Sequence, residues 1–441
     1  MRTQKARQEK LVDGELRVHA WTPQGFLSAG LLQLEEDGDA ISATFTYDAS
    51  YLESRLSYPL DPLNMPLGRG RLATDSQFVT LGAIFDAAPD AWGRRVVSAQ
   101  LPAEARQRVF RNAFLRGADG IGSLVLTPEI ISGDIELDRI VAISLAERPG
   151  LSQLERAAQA ARELEQGAEL TDEMRSMLGG SWTIGGARPK AILRDDSSGA
   201  IAGQSVIAKF DALSEAVPRN RIEAACLDMA VDMGFRVPAH RLVELPGGHT
   251  ALLLERFDRP VIENRVHRLH YLSAMSLASH QPQNKFLNST MDRAVLSWSK
   301  MLEIASRICV KPQNARAEMF ARLALNVALQ NTDDHLKNFA FLKSPGSAMH
   351  YDIAPVFDVS AQGAQRHYLH CLDMGQIYTL TDVIPRAREL GIARASAQEV
   401  ESRIVDVLTG IDQYLDDAGL APADADKVRA WVSEGLGPRY R

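Results

Sequence analysis

The chain has 441 residues, 45% of them hydrophobic and 24% charged, with a formal net charge of −7 at pH 7, so it has material for two or three soluble domains and is poorly suited to bind nucleic acid over its whole surface. Its three cysteines, Cys226, Cys309 and Cys371, are widely spaced and form no cluster with histidines, which argues against a disulfide framework and against a zinc site. Because no apolar h-region follows the basic residues at the start and no apolar run reaches eighteen residues, we expect a cytoplasmic protein without a membrane segment.

The N-terminal part of the chain predicts a small antiparallel sheet followed by a helical region. Residues 14–48 contain short hydrophobic bursts separated by turns at 23–25 and 36–39, which is the pattern of short strands. A proline- and glycine-rich stretch at 59–69 then predicts a crossing over the surface, and residues 75–118 predict helix.

Two stretches near the end of this region invite a functional interpretation. Residues 86–95 contain a proline and a glycine that break a helix, and we expect a structural loop in which Trp92 packs inward. Residues 117–123 are rich in glycine, yet they follow a helix and lack a following Lys-Ser/Thr, so the context of a phosphate-binding loop is missing. We predict a turn into a strand at 123–127.

A second glycine-rich segment, at 181–193, is the better candidate for a phosphate-binding loop. Gly185 and Gly186 let the backbone approach phosphate oxygens, and successive N–H groups can point at an anionic ligand. The residues that follow, 191–193, are strand-like. The alternative is a structural hairpin tip, where glycines are equally at home.

Lys209 is a cation inside an otherwise apolar strand at 205–210. Because burial of an unpaired ammonium group is costly, Lys209 requires an anionic partner, and Glu223, near the start of the next predicted helix, is the candidate. A strand lysine bridged to a helix glutamate is how protein kinases hold the phosphates of ATP. The alternative is an edge-strand lysine whose ammonium group reaches solvent.

The hydrophobic strand at 251–257 ends in polar residues and marks the position of a hinge between two lobes. Backbone groups around Glu255 and Phe257 could meet an adenine edge, although a plain strand end has the same sequence pattern. From Tyr271 onward the pattern is overwhelmingly helical, with the last helices predicted between 397 and 436.

Residues 331–338 carry the clearest chemical pattern. The helix before them is apolar on nearly every side, which predicts a buried, rigid platform, and a short hairpin is predicted after them, at 339–357.

In phosphoryl transfer one carboxylate accepts the proton of the attacking hydroxyl, while magnesium is held by few protein oxygens. Asp333 suits the first role, and Asn338 and Asp358 suit the second. Taken alone, D-x-x-x-x-N also fits a capping aspartate and a loop asparagine.

A glycine loop, a strand lysine, a helix glutamate, a hinge strand, the D-x-x-x-x-N loop and a later aspartate follow each other in the order of the protein-kinase fold. The local sequence differs from eukaryotic kinases, since Thr332 precedes Asp333 in place of His-Arg and Val359 follows Asp358 in place of Phe-Gly. The chain instead resembles the HipA family of bacterial toxin kinases over essentially its whole length. The matching residues are Gly185-Gly186-Ala187-Arg188-Pro189-Lys190, Glu255-Arg256-Phe257-Asp258-Arg259, Thr332-Asp333, His335, Lys337-Asn338 and Phe357-Asp358.

The resemblance implies an α+β, two-lobed protein-kinase-like fold, with a strand-rich N-terminal part that carries an extra small β subdomain, and an all-helical C-terminal lobe. We predict an N-terminal β-rich subdomain with a helix at 1–105, the kinase N-lobe at 106–260 and the helical C-lobe at 261–441. The resemblance also implies a serine/threonine protein kinase that uses ATP and Mg²⁺ and acts as a toxin. Its expected partners are a protein substrate such as an aminoacyl-tRNA synthetase, and a HipB-like antitoxin whose DNA-binding domain represses the operon, so that operator DNA is reached mainly through the antitoxin.

Site residues follow from the resemblance position by position. Asp333 is the expected catalytic proton acceptor, Lys209 a phosphate ligand and His335 a nucleotide contact, while Asn338 and Asp358 are the expected metal ligands and ATP contacts. The other predicted ATP contacts are Gly185, Gly186, Ala187, Arg188, Lys190, Glu223, Glu255 and Phe257.

An autophosphorylation site is also implied, because the family modifies a serine just before the glycine loop. Here Thr183 occupies that position and Ser181 lies two residues earlier. We expect either hydroxyl to serve, since an added phosphate would compete with the ATP phosphates for the same N–H groups.

Two other functions fit parts of the pattern. A small-molecule phosphotransferase of the aminoglycoside-kinase type shares the lobes and the D-x-x-x-x-N loop, but it predicts His-Gly before the aspartate where this chain has Asn331-Thr332. A non-catalytic, kinase-like corepressor scaffold is the third alternative, and the presence of all the charged catalytic positions argues against it.

Overall fold

The structure of the protein is a computed structural model in which strands dominate the first half of the chain and helices the second. The described residues are 14–37, 40–73, 81–88, 91–100, 120–127, 148–178, 186–196, 205–263, 265–278, 296–343, 349–364 and 366–440. The strands are β1 (Glu15–Thr22), β2 (Gly25–Asp37), β3 (Ala40–Tyr47), β4 (Arg71–Ala73), β5 (Leu124–Thr127), β6 (Lys190–Arg194), β7 (Ser205–Phe210), β8 (His240–Leu245), β9 (His249–Glu255), β10 (Val261–Ile262), β11 (Arg265–Val266), β12 (Tyr271–Ser273), β13 (Ala340–Lys343) and β14 (Tyr351–Ile353). The helices are α1 (Ala49–Glu53), α2 (Gly82–Phe85), α3 (Ala91–Gln100), α4 (Leu154–Glu165), α5 (Asp172–Leu178), α6 (Arg219–Asp232), α7 (Ala274–Leu277), α8 (Trp298–Ile308), α9 (Pro312–Ala328), α10 (Leu380–Val383), α11 (Arg394–Thr409), α12 (Ile411–Asp417) and α13 (Pro422–Leu436). None of the helices in these described parts combines the length and the apolar composition needed to cross a bilayer.

Five strands form the N-terminal sheet in the order β4-β3-β2-β1-β5, and every neighbouring pair is antiparallel. Alternate side chains of β1, namely Leu16, Val18 and Ala20, are buried, as the predicted alternation requires. The strand predicted at 123–127 is confirmed as β5. Because β5 pairs with β1, the N-terminal sheet includes a strand beyond the proposed boundary at residue 105. The three-region division itself stays a prediction.

The helical region predicted at 75–118 is seen in part, as α2 and α3. The predicted break at Gly93 is wrong, because α3 continues through this residue. The chain leaves the helical conformation at 86–88, next to Pro89, which lies outside the described residues. Trp92 is 1% exposed, which confirms that its indole packs inward.

The second sheet has the order β6-β7-β9-β8 and is covered on both faces. On one face Leu193, Val206 and Leu253 pack with helices α4 and α5. On the other face Leu252 and Leu254 join the main core together with α6. Successive residues of β9 therefore point to opposite faces, and burial on both sides explains why this strand is continuously apolar.

Helix α9 confirms the prediction of a helix buried on every side. Phe320, Leu323 and Val327 are fully buried, and the helix packs against α8, α11 and α13. The helices predicted between 397 and 436 are confirmed as α11, α12 and α13, with Gly410 between the first two.

The C-terminal part is not all-helical, because it contains the antiparallel sheet β12-β13-β14. Strands β13 and β14 are the hairpin predicted after the catalytic loop. Strand β12 lies where the helical pattern was predicted to begin, so that prediction is wrong at this position. This strand forms because of contacts with a distant part of the chain: Tyr271 pairs with Leu342 and Ser273 with Ala340. These partners satisfy the backbone polar groups of residues 271–273, and the local sequence shows no pattern that predicts the pairing.

Candidate active site

The predicted catalytic loop leaves the end of α9 through Gln330, whose φ of +52° terminates the helix. The Asn331 side chain donates from Nδ2 to Oδ1 of Asn326 at 2.6 Å, which ties the loop to the buried helix. Nδ2 of Asn338 donates to the main-chain oxygen of Asp333 at 2.8 Å and closes the loop on itself. The loop is thus held at both ends, while the Asp333 side chain remains 57% exposed.

The two adjacent aspartates of this loop have opposite environments. Asp334 is fully buried; its Oδ1 accepts from the backbone N–H of Tyr368 at 2.6 Å, and its Oδ2 lies 3.3 Å from Nδ1 of His367. Asp334 therefore anchors the loop on the segment that follows Asp358. Sequence analysis missed this role, and the only available signal was the presence of a second acidic residue beside the predicted catalytic one.

Asp333 lies among groups of both signs. Nε2 of His335 is 3.8 Å from Oδ1 of Asp333. Burial raises the pKa of Asp333, the charges of Asp358 and Asp334 raise it further, and His335 and Arg219 oppose the increase. A carboxylate whose pKa is raised in this way is suited to accept a proton during the reaction.

Lys209 joins the two lobes of the site. Its Nζ donates to Oε1 of Glu223 at 2.6 Å and also contacts Oδ1 of Asp358, and only 7% of the residue is exposed. Burial lowers the pKa of Lys209, but the charges of Asp358 and Glu223 outweigh it and raise the value. The structure thus brings the three predicted residues together, as the partner requirement of a buried ammonium predicts.

A second buried lysine faces the same carboxylate. Lys190 on β6 lies directly opposite Lys209 on β7, an arrangement that is unfavourable for like charges unless an anion lies nearby. Asp358 supplies that anion: although burial opposes it, the charges of Lys209 and Lys190 lower its pKa. Asp358 also has a φ of +53°, a conformation that residues other than glycine adopt rarely and that is often kept at functional sites.

The described part of the glycine loop begins at Gly186, so Gly185, Thr183 and Ser181 lie outside the described residues and their roles stay predictions. Gly186 has a φ of +103°, and a Cβ at this position would come within 2.7 Å of Nζ of Lys190. Because other residues rarely adopt this φ, glycine is favoured here, and the Gly186 backbone lies directly beside the buried Lys190 ammonium group. Ala187, the next residue, is exposed.

Arg188 is turned towards α6, and its contact with ATP stays a prediction. Its Nε donates to Glu215 at 2.6 Å, its Nη2 to Asn220 at 2.9 Å, and its Nη1 to Glu223 at 3.4 Å. The guanidinium group thus binds the glycine loop to the helix that carries the partner of Lys209. We therefore propose a positioning role for Arg188.

Arg188→Gln is expected to raise the KM for ATP about tenfold and to change kcat little, because the loss of one charge-assisted hydrogen-bonded cluster is of the order of 1.5–3 kcal/mol and releases the glycine loop. Steady-state kinetics at varied ATP measure the effect. Arg221→Gln is the matched control, since Arg221 lies on α6, the helix that Arg188 contacts, but pairs with Glu244 at 2.7 Å. An unchanged KM in the Arg188 variant would contradict the positioning role.

At the predicted hinge, the Glu255 N–H donates to the Ala239 carbonyl at 2.8 Å. An adenine contact at Glu255 would therefore use its carbonyl. Phe257 packs against Phe357, with ring centroids 5.4 Å apart, and so connects the hinge to the segment that carries Asp358.

The charged residues of the hinge motif have a structural role that sequence analysis missed. Asp258 is buried between Arg256 and Arg259, whose guanidinium groups donate to it at 2.8 and 2.7 Å, and it accepts from the Gly122 N–H at 2.8 Å. Arg256 in turn donates to the Gly120 carbonyl at 3.1 Å. The glycine-rich turn at 120–122 is thus bound to the hinge, which agrees with its prediction as a turn.

Trp92 contacts the glycine loop directly, which sequence analysis also missed. Its indole Nε1 donates to the Lys190 carbonyl at 3.0 Å, and its backbone N–H to the Gly186 carbonyl at 3.4 Å. The first turn of α3 is therefore in contact with the candidate site.

Asn338 and Asp358 carry donor atoms of the kind that would suit a magnesium ion shared with phosphates. Asn338 lines a small crevice together with Phe357 and Val359, the residues on either side of Asp358. The Asn338 amide nitrogen is used within the loop, so its oxygen is the atom left for a ligand. One amide oxygen and one ionised carboxylate are hard donors of the kind Mg²⁺ prefers, with phosphate oxygens and water completing its octahedron.

The fold and the arrangement of these residues define a two-lobed, protein-kinase-like protein. The family model for the HipA-like C-terminal domain matches residues 182–413, which is more than half of the chain. The chain therefore belongs to the HipA-like family, and the resemblance noted from the sequence is confirmed, as is the α+β, kinase-like fold class.

Three individual proteins are similar to the chain to different degrees. HipA of Shewanella oneidensis MR-1, solved in a complex of the toxin–antitoxin system HipA, HipB and its operator DNA, has 19% identity, covers 96% of both chains and has a TM-score of 0.63, which shows the shared fold. A Haemophilus influenzae protein named "Putative kinase" is 28% identical over 143 residues, 31% of this chain and 39% of that protein, so the match spans about two fifths of that relative. The Helicobacter pylori proinflammatory kinase CtkA has 14% identity and a TM-score of 0.42, covering 57% of this chain and 88% of its own.

Proposed function

We propose that the protein is an ATP-dependent serine/threonine protein kinase that acts as a toxin. The observation that carries the proposal is the pair of buried lysines, Lys190 and Lys209, which lie opposite each other and face Asp358 beside the catalytic loop. Such a concentration of positive charge next to a glycine loop suits the β- and γ-phosphates of a nucleotide.

The reaction that these residues support is transfer of the γ-phosphoryl group to a hydroxyl. The hydroxyl oxygen forms a bond to the γ-phosphorus while the bond from that phosphorus to the β,γ-bridging oxygen breaks, and ADP leaves. Asp333 accepts the hydroxyl proton, and Lys209, oriented by Glu223, binds the phosphate oxygens. When bound, Mg²⁺ would neutralise the charge of the phosphates, with Asn338 and Asp358 as its protein ligands.

We propose that the acceptor is a serine or threonine of a cellular protein, with an aminoacyl-tRNA synthetase as the candidate that the family suggests. Autophosphorylation on Thr183 or Ser181 would add charge beside the glycine loop and compete with ATP. The proposed regulator is a HipB-like antitoxin that also binds operator DNA, because the Shewanella relative was solved in a complex with HipB and its operator DNA.

Incubation of the purified protein with γ-labelled ATP, Mg²⁺ and a cell extract tests the proposal. We expect label on protein hydroxyls, including Thr183 or Ser181 by phosphopeptide mapping, and none with Asp333→Asn. Label on a small molecule would instead support the aminoglycoside-kinase type of reaction, and no label in any fraction would support the corepressor scaffold. If the protein labelled itself only at residues other than Thr183 and Ser181, the proposed autophosphorylation site would be rejected, but the proposed kinase activity would stand.

A further inference from the structure

Asp86 connects the N-terminal part of the chain to the catalytic half. It follows α2, and its carboxylate accepts two hydrogen bonds from one residue: Oδ2 from the Ser273 N–H at 2.8 Å and Oδ1 from the Ser273 hydroxyl at 2.6 Å. Ser273 is the last residue of β12 and the N-cap of α7, where its Oγ accepts from the Ser276 N–H. Asp86 therefore fixes the junction between that strand and that helix.

This junction is in direct contact with the catalytic loop. The Ala274 N–H donates to the Phe339 carbonyl at 2.8 Å, and Ser273 pairs with Ala340 across β12 and β13. Phe339 follows Asn338, the proposed metal ligand. The position of the Asn338 end of the loop thus depends on the backbone segment that Asp86 holds.

The contact is tightly packed and also electrostatic. A Cβ at Gly82 would lie 2.7 Å from Cα of Ser276, so α2 and α7 are in close backbone contact and the carboxylate has little freedom to move. Burial raises the pKa of Asp86 to about 6, against the hydrogen bonds from Ser273 and Ser276 and the charge of Lys337. The charge of Lys337, the residue before Asn338, thus favours the ionised form of Asp86.

We propose that Asp86 is a positioning residue of the kinase reaction, which it serves by holding the catalytic loop through Ser273. The N-terminal sheet region is then a working part of the active site, although none of its residues need touch the substrate. The inference rests on the proposed function for its kinetic consequence, but the structural link can be measured without activity.

The test compares Asp86→Asn with Asp48→Asn in the full chain. Asp48 is the matched control, because it also accepts from an arginine and a serine, Arg17 at 2.8 Å and Ser28 at 2.7 Å, but all of these residues lie in the N-terminal part. We expect Asp86→Asn to lower kcat about 10- to 100-fold, because a substitution far from the reacting atoms can still displace the catalytic loop from its productive position. The KM for ATP should change less than kcat does, because Lys209 and the glycine loop keep their contacts even though the Asn338 end of the loop is released, and Asp48→Asn should leave both unchanged.

Amide hydrogen exchange gives the readout that does not require turnover. Asp86→Asn should accelerate exchange at residues 337–341, and Asp48→Asn should not. If Asp86→Asn does not fold, Ser273→Ala replaces it: loss of the hydroxyl should lower kcat about threefold and accelerate the same amides. Unchanged kcat and exchange in the folded variants would overturn the inference, as would equal effects from Asp48→Asn. Absence of phosphoryl transfer by the wild type would reject the proposed function instead, and the exchange comparison would then decide the inference on its own.

Discussion

Asp333→Asn is expected to lower the rate of phosphoryl transfer by roughly 10²- to 10⁴-fold, the usual contribution of a positioned general base. The amide cannot take the proton of the attacking hydroxyl. Fold and nucleotide binding should persist, because Asp333 holds the loop through its main-chain oxygen, which accepts from Asn338 in either variant, and because its side chain is more than half exposed. Steady-state rates and calorimetric nucleotide affinity measure the two effects separately.

Asp334→Asn is the matched control, since it makes the same change one residue further along the chain. Asp334 is buried and accepts from backbone N–H groups of Tyr368 and Leu369, so its replacement should lower thermal stability first and activity only as a consequence. In cells without an antitoxin, the wild type should arrest growth and Asp333→Asn should not. Equal arrest by both would separate toxicity from kinase activity.

The parts of the site that sequence analysis predicted well are those in which a single residue has an unavoidable physical requirement. A lysine in an apolar strand requires an anion, and Lys209 indeed donates to Glu223 at 2.6 Å. A helix that is apolar on every side requires burial on every side, and α9 is buried in this way. Both inferences use only the local sequence and the free energy that is lost when an unpaired charge is buried or an apolar side chain is exposed.

The parts that could not be predicted depend on the direction of a side chain or on a distant partner. Arg188 stands in a glycine loop, where a cation suggests phosphate, but the position of α6 gives it Glu215 and Asn220 as partners. Asp333 and Asp334 are identical in the sequence, and only the path of the loop decides which one is buried. Strand β12 exists because β13 lies beside it, which no periodicity in residues 271–273 encodes.

Asp358→Ala is expected to weaken magnesium-dependent ATP binding about 30-fold, since the loss of one proposed carboxylate ligand of the ion should cost about 2 kcal/mol, the lower end for a charge pair, because the Asp358 side chain is 34% exposed. When magnesium is removed, the substitution should no longer weaken ATP binding. In the present structure the Asp358 carboxylate contacts Lys209 and acts electrostatically on Lys190, so it competes with phosphate for the same two cations. Without the carboxylate and without metal, ATP should bind as tightly as to the wild type or more tightly. Calorimetric titration with ATP in Mg²⁺ and in EDTA measures both limits.

Asp358→Gly separates the charge from the backbone conformation. Asp358 has a φ of +53°, which alanine adopts at a cost of about 1–2 kcal/mol and glycine adopts freely. If the missing carboxylate causes the loss of magnesium-dependent binding, Asp358→Gly and Asp358→Ala should be equally weak in Mg²⁺. If Asp358→Gly instead kept wild-type affinity, the strained backbone and not metal ligation would explain the alanine result, and Asp358 could not be the carboxylate that holds the ion against the phosphates.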